Sequence, residues 1–278
     1  MPNNKQIQRR GVKTIAKNKS KPFWEFKSRA EGVGELSLYG IISEYSWWGD
    51  EVTPAQFKKD LDALGDIKTL NVYINSDGGD VFAGQAIHSM LKRHSAEVVV
   101  YIDGLAASIA SVIAMAGDKV IMPVNAMMMV HCPWTWGAGN ASDFRKLADD
   151  LDKIEESILA TYHAKTDMEN EEIKALLDAE TWLTAEECLQ YGFADEIEES
   201  KQIAASLQGG FLMLNGQQMD LSKFKNAPKF VALESPKPDP IPDPEPPQPD
   251  PKVKQLNDEL FSLYASQIQI NQNGVKAQ

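Results

Sequence analysis

From Glu35 onward, short apolar runs alternate with longer stretches whose apolar residues recur every three or four positions. Glu35 to Ile42 reads as a strand, and Thr53-Pro54-Ala55-Gln56 opens a helix with a capping box and a proline at its first position. Leu70-Asn71-Val72-Tyr73-Ile74-Asn75 predicts a buried strand, followed by a helix over Val81 to Arg93 with Phe82, Ile87 and Leu91 as core contacts. A strand at Val98 to Ile102 leads into the small-residue run Ala106 to Ala116, read as a closely packed helix, and another strand follows at Ala126 to Val130. Gly137-Ala138-Gly139-Asn140 breaks the chain before a long helix to about Lys165, with Phe144, Leu147, Leu151, Ile154, Ile158 and Tyr162 at helical spacing. Thr184-Ala185-Glu186-Glu187 forms a second capping box, and Gly192 stops that short helix. This alternation predicts an α/β domain with a mainly parallel sheet.

Three segments within this frame carry candidate chemistry: Ile74-Asn75-Ser76-Asp77-Gly78-Gly79, Gly104-Leu105-Ala106-Ala107-Ser108 and Met129-Val130-His131-Cys132-Pro133. Serine attack on a carbonyl needs an activated hydroxyl, a base within hydrogen-bond reach and backbone donors aimed at the developing oxyanion. The Gly78-Gly79 pair lets backbone N–H groups turn outward without Cβ hindrance, which makes Gly79 the first oxyanion donor. Ser108 falls at the start of the small-residue helix, where free N–H groups and the dipole favour negative charge, and the Ile109 N–H is the natural second donor. His131, at the end of its strand, is the candidate base. Ser111 is a rival nucleophile, but it lies deeper in the helix, where a serine packs or bonds back to a carbonyl. Cys132 adjoins His131, yet neighbours on a strand point to opposite faces.

In their order these segments resemble the proteolytic subunit of the Clp protease, and specifically its relatives encoded by tailed phages and prophages as head-maturation (prohead) proteases. The resemblance covers roughly Gly34 to Ile197 and includes Trp182-Leu183-Thr184-Ala185 and Tyr191-Gly192-Phe193-Ala194-Asp195 near its end. It implies a crotonase-like spiral of ββα units, with the long helix projecting as a handle between subunits. It also implies a serine endopeptidase with Ser108 as nucleophile, His131 as base, and Gly79 and Ile109 as oxyanion donors. The family's third triad residue falls on Glu180 rather than an aspartate, with Asp178 as the fallback, and the proline usual in the glycine turn is replaced by Asp77. The implied assembly is a homo-oligomeric ring. The implied substrates are scaffold, the major capsid protein and the enzyme itself, with portal or capsid proteins as neighbours.

Two alternatives remain open. One is a general ATP-dependent peptidase subunit working with a separate AAA+ unfoldase, since the chain has no phosphate-binding Gly-x-x-x-x-Gly-Lys-Ser/Thr loop of its own. The other is a catalytically silent capsid-assembly protein.

Composition separates the ends from the middle. Residues 1–29 carry nine Lys or Arg against Glu25 alone, a net of +8 that leaves −20 for the remainder of a chain whose overall formal charge is −12. The arm is read as flexible, with Trp24 and Phe26 as its candidates for docking onto the domain. The acidic body argues against general DNA binding, so no specific nucleic acid is expected as a partner. Nearly every second residue from Pro236 to Pro251 is proline, which predicts a stiff spacer reaching roughly 50 Å. Leu256, Leu260 and Leu263 beyond it mark a short amphipathic segment suited to docking on a coat or scaffold protein.

The expected division is therefore a basic arm at 1–33, a protease domain at 34–200, an extension without clear signature at 201–235, a proline-rich linker at 236–251 and an amphipathic tail at 252–278. No run approaches the roughly 18 apolar residues of a membrane span, and no signal-peptide core is present, which predicts a cytoplasmic protein, inside the assembling prohead in the maturation role. Two cysteines are too few for a disulfide framework or zinc site, and His88 and His94 lack metal-site spacing, so neither metal nor cofactor is expected.

Overall fold

A computed structural model describes residues 23–29, 32–43, 53–199, 205–208, 211–214 and 217–228. Most of the basic arm, the proline-rich linker and the amphipathic tail lie outside these residues.

Strands β1 (Trp24–Ser28), β2 (Val33–Tyr39), β3 (Thr69–Ser76), β4 (Glu97–Ala107), β5 (Lys119–Pro123), β6 (Met127–Val130), β7 (Thr181–Thr184) and β8 (Glu196–Glu198) form one sheet. Its main path runs β1-β2-β3-β4-β5-β8, with β6 pairing β4 and β7. Only β1–β2 and β6–β7 are antiparallel. Strand β4 explains the branch: Val99–Tyr101 pairs with β5, whereas Leu105–Ala107 pairs with β6. Val98, Val100 and Ile102 are nearly inaccessible, whereas Tyr101 and Asp103 on the opposite face are only half-buried, so this part of β4 turns one face to the core.

The helices are α1 (Pro54–Asp62), α2 (Val81–Lys92), α3 (Ile109–Ala114), α4 (Ala141–His163), α5 (Asn170–Asp178) and α6 (Ala185–Tyr191). Local chemistry fixes their starts. Asn140 caps α4 and Thr184 caps α6 with reciprocal capping boxes, and Gly192 ends α6 in the left-handed conformation at φ 79°. At α1 only half of the expected box forms, Thr53 Oγ1 accepting from the Gln56 N–H at 3.2 Å, while the Gln56 amide turns to Asp60. Along α4 only Ile158 and Tyr162 of the apolar stripe are buried, and Phe144 is exposed.

Two sequence expectations shift. The helix read from Ala106 begins at Ile109, because Ala106 and Ala107 continue β4 between Ser76 and β6; sheet pairing outweighs alanine's helix propensity. Phe82 is not a core contact. Ala83, Ile87 and Leu91 form the buried row of α2, and the ring one position earlier is 64% exposed.

Two regions extend the domain beyond its alternating core. Within the stretch read as arm, Trp24 is buried, donates from Nε1 to Asp60 Oδ2 at 3.0 Å, and meets Phe57 edge-on. After the main sheet, β9 (Ala205–Gln208), β10 (Phe211–Leu214) and β11 (Gln217–Met219) form a small antiparallel sheet, followed by a 3₁₀ turn at Leu221–Lys223. Leu212, Leu214, Met219 and Phe224 are buried there in a second apolar cluster with Leu105, Ala107 and Met129. The small sheet thus packs behind the strands that end at Ser108 and His131. Among the described residues no helix is long and apolar enough to cross a membrane.

Candidate active site

Ser108 is the single-residue joint between β4 and α3, at φ 55° and ψ −130°. A non-glycine residue reaches positive φ only when its surroundings over-determine it. Here the restraints are visible. The Ser108 N–H donates to the Met129 carbonyl at 2.8 Å, and its carbonyl accepts from the Ser111 N–H at 2.9 Å and Ser111 Oγ at 2.5 Å. Ser111 Oγ also bonds Tyr162 OH at 2.8 Å, so the rival serine is a buried brace beneath the joint. The Ser108 side chain remains turned out, and its Oγ lies 2.7 Å from His131 Nε2.

His131 follows β6 directly and meets the Phe224 ring edge-on at 5.4 Å. Burial pushes its pKa down to about 4; Glu180 opposes that shift and Lys223 adds to it. The imidazole is therefore neutral at pH 7, and with its proton on Nδ1 the Nε2 lone pair faces the serine hydroxyl.

The glycine turn is built by a neighbouring backbone. The Ile42 N–H donates to the Gly78 carbonyl at 2.9 Å and the Asp80 N–H donates to the Ile42 carbonyl at 2.8 Å. This pairing leaves the N–H and C=O of Gly79 facing away from Ile42. Gly79 sits at φ 150°, and a Cβ there would collide with the Ile42 carbonyl. A Cβ on Gly78 would come within 2.6 Å of Ser108 Cβ, so the turn lies directly against the candidate nucleophile. Among the described residues no internal hydrogen bond uses the N–H of Gly79 or of Ile109.

Neither candidate third residue bonds His131 among the described residues. Glu180, at φ 48° between α5 and β7, accepts from the Asn226 N–H at 2.6 Å and the Lys225 N–H at 3.0 Å. Asn226 Nδ2 ties the same loop to the Ala179 carbonyl at 2.7 Å. Asp178 faces elsewhere: its Oδ1 takes the Cys132 thiol at 3.3 Å and the Lys174 ammonium at 3.6 Å. Burial, joined by Glu155 and Asp178, pushes the Cys132 thiol up to about 12, which keeps it protonated. Cys132, Glu155 and Asp178 are close enough to hold an ion, but Lys174 pairs with both carboxylates and supplies the cation.

A cavity of about 520 Å³ opens over Ser108 and His131, walled by Phe82, Trp134, Trp136, Leu151, Ile154 and Phe224. The exposed Phe82 ring therefore belongs to this wall, and Lys223 stands at its edge. The extension was the part sequence reasoning missed. Two signals were present: Gly209-Gly210 and Asn215-Gly216 each separate short runs suited to hairpin strands.

A family model described as Clp protease matches residues 56–201. An ATP-dependent Clp protease proteolytic subunit of Bacteroides fragilis is 32% identical over 140 residues, spanning 49% of this chain and 67% of the relative. The protein of the same name from Deinococcus radiodurans is 31% identical over 140 residues, spanning 49% of this chain and 68% of its own length. That of Bacteroides thetaiotaomicron is 32% identical over 142 residues, spanning 49% and 63% respectively. The matched region holds Gly79, Ser108, Ile109, His131 and Glu180, and ends before β9.

Proposed function

This chain belongs to the Clp protease family of serine endopeptidases, and on that footing we propose that Ser108 is its nucleophile, His131 its general base, and the N–H groups of Gly79 and Ile109 its oxyanion hole. His131 Nε2 takes the Ser108 proton as Oγ bonds to the peptide carbonyl carbon, and the two N–H groups hold the resulting oxyanion. The amine then leaves with the proton from His131. Water, deprotonated by the same imidazole, cleaves the acyl ester and restores the hydroxyl. The single observation that carries this assignment is the 2.7 Å approach of Ser108 Oγ to a histidine that burial keeps neutral.

Glu180 is the third member in this proposal. Its charge favours the imidazolium formed during attack, and its position depends on the Lys225 and Asn226 amides. Asp178 is set aside by its engagement with Cys132 and Lys174. The apolar cavity suits an extended, unfolded protein segment with a large apolar side chain beside the scissile bond.

The proposal extends to a homo-oligomeric ring that matures a phage prohead, cutting scaffold and capsid-protein extensions. Supporting it are the exposed Trp136 and Phe144 beside the start of α4, which suit contact with a second copy, and the proline-rich spacer and amphipathic segment, which suit tethering to a shell. A second reading, a peptidase fed by a separate ATP-driven unfoldase, is favoured by the name the relatives carry.

Intact-mass analysis of the parent and Ser108→Ala, each co-expressed with a candidate scaffold or coat protein, separates these. Discrete truncation by the parent alone supports the maturation role. Cleavage that appears only when an unfoldase and ATP are added supports the second reading, and uncut masses throughout sink the assignment of Ser108.

A further inference from the structure

The 3₁₀ turn after β11 places a lysine from beyond the family-matched region against the glycine turn of the site. Asp77 is wholly buried, and Lys223 Nζ donates to its Oδ2 at 2.9 Å. The other oxygen, Oδ1, has no partner among the described residues. Lys223 also lies over the Phe224 ring at 5.0 Å, whose edge contact fixes it beside His131. Asp220, a further carboxylate in its field, is occupied in capping the 3₁₀ turn through Ser222.

A buried carboxylate with one cation is a conditional arrangement. Remove the cation and the buried carboxylate is left uncompensated, which drives it toward water. Asp77 immediately precedes Gly78 and Gly79. Gly78 has no free space against Ser108 and Gly79 none against Ile42, so movement at Asp77 is passed along the backbone to the Gly79 N–H.

We propose that Lys223 is a positioning residue: through Asp77 it holds the Gly78-Gly79 turn at the separation from Ser108 that an oxyanion requires. This rests on the assignment of Gly79 as an oxyanion donor. Because the oxyanion exists only in the transition state and the intermediate, losing the tether lowers kcat and leaves KM nearly unchanged.

The test uses the full chain and peptide turnover, with Ser108→Ala as the blank. Lys223→Met should lower kcat by about 10- to 100-fold, a fraction of the hundred- to thousandfold effect of deleting an oxyanion donor. Lys223→Arg, which keeps the cation, should stay within about threefold of the parent. The paired change Asp77→Asn with Lys223→Met removes the stranded charge; it should recover the melting temperature lost in Lys223→Met but not the kcat.

Recovery of both together would show the pair to be structural only and overturn the proposal. So would an unchanged kcat in Lys223→Met, or a raised one, which would mark the segment as a block on the site. Amide hydrogen exchange over residues 75–80 reports on the turn independently of turnover: faster exchange in both lysine-to-methionine proteins upholds the tether, and unchanged exchange overturns it. A parent indistinguishable from Ser108→Ala condemns the nucleophile assignment instead, leaving exchange to decide the tether.

Discussion

The main sheet and the small β9–β11 sheet both reach the candidate site, by different means. The main sheet fixes Ser108 and His131 by register. The Ser108 N–H is a rung of the ladder to Met129, and His131 emerges where β6 ends. The small sheet and the turn after it act through side chains and spare amides: Lys223 on Asp77, Phe224 on His131, and the Lys225 and Asn226 N–H groups on Glu180. The first set lies inside the region shared with Clp proteases and the second outside it. The candidate nucleophile and base and their electrostatic surroundings are thus supplied by different parts of the chain.

Substitutions on each side test that separation. Gly79→Ala attacks the core side, placing a Cβ against the Ile42 carbonyl at φ 150°; kcat should fall by about 100- to 1,000-fold with KM little changed. A comparable rise in KM would instead make Gly79 a substrate-binding position. Glu180→Gln addresses the boundary. Because Glu180 is bonded to amides rather than to the imidazole, its loss should cost about tenfold in kcat, well short of the roughly 10⁴-fold cost of a carboxylate in direct contact with the base. A loss of that larger size would mean that Glu180 turns to His131 during turnover.

Phe224→Ala addresses the extension alone, and its effect should be smallest. As the proposed base, His131 acts unprotonated, so kcat/KM should fall on the acid side through about pH 4, below the ordinary imidazole range, because burial disfavours the charged ring. Removing Phe224 admits water and should move that limb upward toward pH 6.5. The same depression makes the folded state resist protonation that the unfolded chain accepts, so stability should decline as pH falls from about 6.5 to 4. An acid limb unmoved by Phe224→Ala would place the desolvation in the main sheet.

The Ser108–His131 pair was legible in the sequence because its parts sit at strand ends, where apolar runs stop and small or glycine residues begin. The start of α3 was not, since Ala106 and Ala107 are good helix formers held extended only by partners on β3 and β6. Phe82 misled for a similar reason: helical spacing shows that one face is apolar but not that an adjacent ring lines a cavity. The pairing of Asp77 with Lys223 spans 146 positions, and nothing local marks either residue for the other.

That span also bears on timing. Ser108, His131 and the glycine turn are all synthesised about 90 residues or more before Lys223. At about 5–20 residues per second, translation takes several seconds to cover that distance. In a nascent chain the Ser108–His131 pair is thus made well before the lysine proposed to hold the glycine turn, and whatever order that turn has at that stage comes from Ile42 and Ser76.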